Sequence, residues 1–230
     1  MSAALDAKAM AKEIAKVFPN CKIDIKPPFR YDDSMIEQAR ITETKQPFEK
    51  QPKQKNDSMM IPLYDGFVLQ RMFADMISSE EISLAHIHII FTNLLTCTFN
   101  EEDDWRYHGR AIICGTPSIV STTGIIEALA KPREFYISQL GRMVVADNGI
   151  MKKKFAGMFL DYDDDRITAA GINYALQAIF FFLTDGNPFC SNKDCRLYNA
   201  HLQEDLIHTI EKGILCNHHK DLANNFVRVR

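Results

Sequence analysis

Apolar residues recur at helical spacing from Ala4 to Val17, alternate from Cys21 to Ile25, and return to helical spacing through Phe67, Val68, Met72, Phe73, Met76 and Ile77. This pattern predicts an opening helix, a short edge strand that ends at Pro27 and Pro28, and a second helix. Leu84 to Phe91 reads as a buried β-branched strand with His86 and His88 on one face, and the acidic tip Glu101 to Asp104 with Trp105 to Gly109 as a hairpin connection into a further strand, Arg110 to Cys114. Ser118 to Thr123 is small and β-branched, Gly124 to Ala130 reads as a short helix ended by Pro132, and Lys152 to Lys154 as a solvated turn. A long helix is predicted from Asp165 to Leu183, stopped by Asp185, Gly186, Asn187 and Pro188. A last one runs from Asn199 as N-cap to Gly213 as C-terminal cap.

Helix and strand alternate, which makes this an α/β protein with a mainly parallel or mixed sheet flanked by helices. Thr42 to Ser58 carries Pro47, Pro52 and several lysines with almost no apolar residues, so burial cannot offset its ordering entropy. That divides residues 1–58 (helix, short strand, polar linker) from residues 59–230, the two parts expected to form one globular unit. Hydrophobic residues make up 46% of the chain, enough for a sizeable core. The longest apolar run of the later half, Ala178 to Leu183, falls far short of the about 20 residues that cross a bilayer, so no membrane span is expected.

The net charge is -3 with Lys and Arg scattered, which lacks the basic footprint that phosphate backbones require and argues against nucleic acid as partner. The opening helix carries Lys8, Lys12 and Lys16 and has no apolar core or cleavage site of a secretory signal, so a cytoplasmic location is expected. Of the six cysteines, Cys21, Cys97 and Cys114 are isolated. Cys190, Cys195 and Cys216 cluster with His218 and His219 around the last predicted helix. In a reducing compartment such a cluster suggests a metal rather than disulfides. Zinc takes four tetrahedral thiolate or imidazole ligands, commonly as two close pairs with short spacers inside each. Cys190 with Cys195, and Cys216 with His219, fit that frame, His218 being the substitute for His219. The site would staple both ends of the intervening helix.

The stretch from Ile179 to Cys195 resembles the run HExxHxxGxxHC, followed by four residues and a cysteine, of the archaemetzincins. These are zinc metallopeptidases whose active-site helix and loop end in a cysteine that opens a second, structural zinc site. Gly186, Cys190 and Cys195 fall at the matching places, Cys216-x-x-His219 matches the family's later CxxC, and Leu197 stands at the position of the methionine beneath the metal. The phrase from Phe189-Cys190 through Cys195-Arg196-Leu197-Tyr198-Asn199-Ala200-His201 is also similar to an archaeal family of metallopeptidase-like proteins. The resemblance implies a metzincin-like fold and a structural zinc. It does not carry the chemistry across, because Ile179, Phe180, Leu183 and Phe189 occupy the places of the first histidine, the glutamate and the other two histidines. With no carboxylate, imidazole or thiol from Asn173 to Leu183, that helix cannot hold a hydrolytic zinc or supply its general base.

Two expectations follow. The first is a zinc-binding protein without peptidase activity that acts on an unidentified protein or peptide ligand through what remains of the family's cleft. The second is a zinc-dependent hydrolase whose catalytic metal has moved to His201 with Glu204, Asp205 or His208, grouped on one helix face by steps of three, four and seven. His86, His88 and His108 could supply further imidazoles, although histidines in strands are more often structural. Asp161, Asp163 and Asp165 open like a calcium loop, but Arg166 and Ile172 replace its glycine and glutamate. Ser118, Ser121, Thr122 and Thr123 lie in neither a nucleophile elbow nor a phosphate loop.

Overall fold

Met10 and Ile14 on one side and lysines on the other make an amphipathic helix α1 (Ala7–Val17), whose first turn is capped by Asp6, its carboxylate accepting from the Ala9 N–H at 2.9 Å. It is the first element of a computed structural model that describes residues 5–42, 61–83, 85–100, 106–140 and 154–228. The linker expected over Thr42 to Ser58, the acidic tip Glu101 to Asp104 and the turn around Lys152 lie almost wholly outside the described residues. Cys21 to Ile25 is not the predicted strand: Cys21 and Ile23 turn to the core as the alternation requires, but residues 22–31 make no backbone hydrogen bond to described backbone. Pro27 and Pro28 lack the N–H that a ladder would use.

The elements that follow are α2 (Asp33–Glu37), β1 (Leu63–Asp65), α3 (Gly66–Asp75), β2 (Ile89–Thr92), β3 (Leu95–Asn100), β4 (Arg106–Arg110), β5 (Ile112–Ile113) and β6 (Ser118–Ser121). The helices α4 (Thr122–Glu127), α5 (Arg133–Leu140), α6 (Ile167–Leu183), α7 (Gln203–Lys212) and α8 (Asn217–Arg228) complete the chain. The strands form two three-stranded mixed sheets, ordered β1-β3-β4 and β2-β6-β5. Each has one parallel pair (β1 with β3, β2 with β6) and one antiparallel pair (β3 with β4, β5 with β6). The α/β class with mixed sheets and flanking helices is as expected; the division into two sheets is not.

Three boundaries move. The predicted strand over Leu84 to Phe91 shrinks to β2, leaving His86 and His88 before it, where the His86 N–H turns back to the Ser83 carbonyl at 3.1 Å. The predicted strand over Arg110 to Cys114 holds only β5 and the last residue of β4, which itself occupies the stretch expected as hairpin connection; the two strands meet at Ala111, where the chain leaves one sheet for the other. The Ala111 carbonyl accepts from the Ser121 N–H at 2.9 Å. Their hairpin partner β3, rich in Thr and carrying Cys97, had no expectation attached to it.

The turn from β6 into α4 uses every hydroxyl that stands there. Ser121, Thr122 and Thr123 donate to the carbonyls of Leu94, Thr92 and Asn93 at 2.6, 3.2 and 2.7 Å, clamping the β2–β3 turn, while Ser121 Oγ caps α4 by accepting from the Gly124 N–H at 2.7 Å. Gly124 has no room for a side chain, since a Cβ would stand 2.2 Å from the Arg110 carbonyl oxygen.

α6 is apolar almost all round and buried through its middle, the signature of a central helix. One side meets Met10, Ile14 and Phe18 of the α1 region. The other packs Ile167, Ala170 and Tyr174 into a second cluster with Val120, Ile125 and Ile207. No described helix is long and apolar enough to cross a membrane. α7 is pinned beneath this core by Gln203, which is wholly buried. Its amide donates to the carbonyls of Ile125 and Ile126 at 2.7 and 3.1 Å, and its oxygen accepts from the Leu160 N–H at 3.1 Å. Each buried backbone group left without a partner costs about 1–3 kcal/mol, so Gln203→Leu is expected to lower stability by about 3 kcal/mol or more, read as a lower urea midpoint at unchanged slope.

Candidate metal centre

α6 ends where its residues turn polar. Thr184 Oγ1 folds back to donate to the Phe180 carbonyl at 2.7 Å, and the chain reverses through Asp185 (φ 49°) and Gly186 (φ 92°), whose N–H reaches the Phe181 carbonyl at 2.9 Å. The reversal delivers Cys190 into a tight loop. The Cys190 N–H donates to the Leu197 carbonyl at 2.8 Å, and the Cys195 N–H to the Asn192 carbonyl at 3.0 Å. The Arg196 N–H donates to the Ile214 carbonyl at 2.8 Å, which ties the loop to the segment after α7. Gly213, left-handed at φ 61°, ends α7 and aims Ile214 and Leu215 at that loop. Cys216 then opens α8, its carbonyl accepting from the Lys220 N–H, so His219 falls in the first helical turn on the same side as Cys216.

Cys190, Cys195, Cys216 and His219 thus come together from both flanks of α7, their ligand atoms all within 4.8 Å of one another. Cys190 Sγ lies 3.9 Å from Cys216 Sγ, and His219 Nδ1 lies 3.8 Å from Cys195 Sγ and 3.1 Å from Cys216 Sγ. Sulfur and nitrogen ligands held tetrahedrally on zinc at their usual bond lengths stand about 3.6–3.8 Å apart, so the donor set fits the ion in number, type and spacing. Of the two histidines, His219 is buried with its ring nitrogen on the thiols, and His218 is exposed, its ring meeting His219 edge-on at 5.0 Å.

The electrostatics favour a cation. Burial pushes the Cys195 thiol up to about 12 and raises that of Cys190, while burial and then the charge of His218 lower the pKa of His219. A divalent ion would reverse the preference of the buried Cys190 and Cys195 thiols by its own charge. Backbone N–H groups are already aimed at sulfur. The Asn192 N–H points to Cys190 Sγ and the Cys216 N–H to Cys195 Sγ, both at 3.4 Å, and the Leu197 N–H also favours the Cys195 thiolate. The cysteine spacing announces the four side chains, but only the folded loop shows these N–H donors.

The profile of a family described as "Probable metallopeptidase family (DUF6775)" matches residues 1–226. The chain belongs to that family. No curated protein and no solved structure matches it. The match to the DUF6775 profile makes the groups that could perform metallopeptidase chemistry the next question.

Ile179, Phe180 and Leu183 lie on the last turns of α6, packed into the core that α1 shares, and Phe180 is 0% exposed. The Phe180 ring stands between Phe18, at 5.8 Å, and His219, which it meets edge-on at 5.3 Å. It therefore braces the His219 ring from behind. Phe189 is partly exposed on the loop, and Leu197 is fully buried. Ile179, Phe180 and Leu183 offer no ligand atom to a metal.

The residues considered for a relocated site stand apart. α7 begins at Gln203 with Leu202 as its N-cap residue, not at Asn199, because the chain before it bridges to Ala130; the Ala130 N–H donates to the His201 carbonyl at 3.0 Å. His201 is therefore exposed and off the helix that carries Glu204, Asp205 and His208. His208 Nε2 is 2.6 Å from Asp194 Oδ1, and Asp205 is bridged by Lys193 at 2.9 Å. Among the described residues, the three-Cys, one-His group is the one cluster with metal-ligand spacing. His86 and His88 stack at 6.1 Å, with His86 Nδ1 2.9 Å from Ser83 Oγ and His88 Nε2 3.0 Å from the Glu81 carbonyl, and they form no such cluster with His108.

Proposed function

We propose that this chain is a non-hydrolytic, archaemetzincin-related member of its family, in which Cys190, Cys195, Cys216 and His219 hold one structural zinc and the folded surface binds a protein or peptide partner. The observation that carries the reading is Phe180. At the place of the general-base glutamate stands a buried aromatic ring that packs on the imidazole of the structural centre, so the helix face a peptidase would open to substrate is core here. Zinc is favoured over iron–sulfur or softer alternatives by a mixed thiolate and imidazole set of four at tetrahedral spacing.

The competing reading is a hydrolase whose metal sits near His201, Glu204 and His208. One observation favours it: Glu204 and His208 line an open groove of about 340 Å³. Metal content of protein purified without added metal, with an assay on a mixed fluorogenic peptide library, separates the two. The expected result is a single zinc, lost in the Cys190→Ser, Cys195→Ser double variant, and no cleavage. A second metal that survives those substitutions, with cleavage abolished by His201→Ala, would overturn the proposal.

A further inference from the structure

The same groove runs along α7. Its walls are the outer face of α7 and the facing segment Gly157–Met158, with Pro132 at one end. Its volume of about 340 Å³ is at the lower end of the range for ligand sites, about 300–1,000 Å³. Ile207 and Met158 make it apolar, Met158 being 43% exposed, and at Gly157 an added Cβ would meet nothing within 4 Å, which keeps that wall low.

The charge on this surface is one-sided. Glu204 and Glu211 line the groove, and neither makes an ion pair or side-chain hydrogen bond to a described residue. Among the described residues no lysine or arginine lines it. Three nearby cations are held by other groups: Lys193 by Asp205 at 2.9 Å, Lys131 by Glu127 at 3.1 Å, and Arg166 by Asp164 at 2.7 Å and by the Gly157 carbonyl at 3.2 Å. Glu211 influences Arg166, and Glu204 influences Lys193, only through space. His208 is engaged with Asp194 and offers its ring as wall.

Glu204 and Glu211 are two turns apart on α7, about 10 Å of rise. A small amine could neutralise only one of them. A peptide in the polyproline II conformation rises about 9 Å in three residues and returns to the same face, so basic side chains at its first and fourth positions can reach both while the apolar pair between them flanks the contact beside Met158 and Ile207. We propose that the α7 groove is a docking site for a partner segment with two basic residues flanking an apolar pair. The inference rests on the reading of this chain as a peptide-binding protein, and is independent of the zinc.

The test is titration of the metal-replete full chain with acetyl-Arg-Leu-Leu-Arg-amide, followed by amide chemical shifts, with acetyl-Glu-Leu-Leu-Glu-amide as control and recovery of the peptide at the end. Expected are saturable shifts around Glu204 to Glu211 and residues 157–158, lost at high salt, and about tenfold weaker binding in the Glu204→Gln, Glu211→Gln variant, whose exposed positions leave folding intact. Equal binding of the acidic peptide, indifference to the double variant, or no saturation at millimolar peptide would overturn it. So would saturation by calcium or manganese chloride with no response to peptide, which would make the groove a cation site. Recovery of cleaved peptide would instead remove the non-hydrolytic reading and leave the docking site standing.

Discussion

Stripping the protein with a strong zinc chelator is expected to free the loop of residues 190–198 and α8, while α7, held by Gln203, Leu206 and Ile207, and the two sheets persist. The cluster joins the loop after α6 to the start of α8, and few other ties do so: the Arg196–Ile214 backbone bond and the packing of Leu215, Ala223 and Phe226 on Phe18 and its neighbours. Structural zinc binds finger peptides with about 10–16 kcal/mol of apparent free energy, as large as a whole domain's net stability of about 5–15 kcal/mol. Losing it should therefore release the cysteine loop and α8 together rather than soften one turn. Amide exchange in α8 should rise by orders of magnitude, with exchange in β6 nearly unchanged. Cys195→Ser should act like the chelator. Losing about 4 kcal/mol would lower the thermal midpoint by about 8–16 °C in a chain of this size. Cys114→Ser is the control, since that partly buried thiol lies outside the cluster. Unchanged α8 exchange after chelation would end the zinc reading.

The parts of this molecule that were legible in its sequence are those set by local chemistry. Cysteine spacing named the four clustered side chains, and the choice of His219 over His218 followed from a spacer that puts ligands on one side of a helical turn. The unbroken apolar surface of α6 made it central, and Gly213 closed α7 where a left-handed cap was expected. What failed depended on partners distant in the chain. The alternation of Cys21, Ile23 and Ile25 records which side chains face the core, and that is the same whether or not a strand lies beside them. Asn199 is a good N-cap residue, but the bridge from Ala130 to Leu202 holds the chain extended past it. Neither the switch of sheets at Ala111 nor the wall that Gly157 and Met158 build against α7 has a local signal, since both arise from segments that meet only on folding.

Restoring the glutamate of the archaemetzincin pattern should cripple the fold rather than create a peptidase. Phe180→Glu would place a carboxyl at a position with no exposure, between Phe18 and the ring of His219, with no cation in reach once zinc has used the imidazole. Full burial raises a carboxyl's pKa by about 3–5 units, which costs the folded state about 3.5 kcal/mol at pH 7 and about 4–7 kcal/mol only above the folded pKa. The sign fixes the pH profile. Because the folded pKa lies above the unfolded value of about 4.3, the penalty is absent below that value and grows as pH rises, until it levels off above the folded pKa. Phe180→Gln has similar size and polarity without the ionisation, so the gap in stability between the Glu and Gln variants should close at acid pH and open toward neutrality. A gap that stays flat with pH would mean the carboxyl reaches water or the metal. Position 180 would then still open onto a cleft, as it must in a working peptidase, and the case for an inactive one would fall.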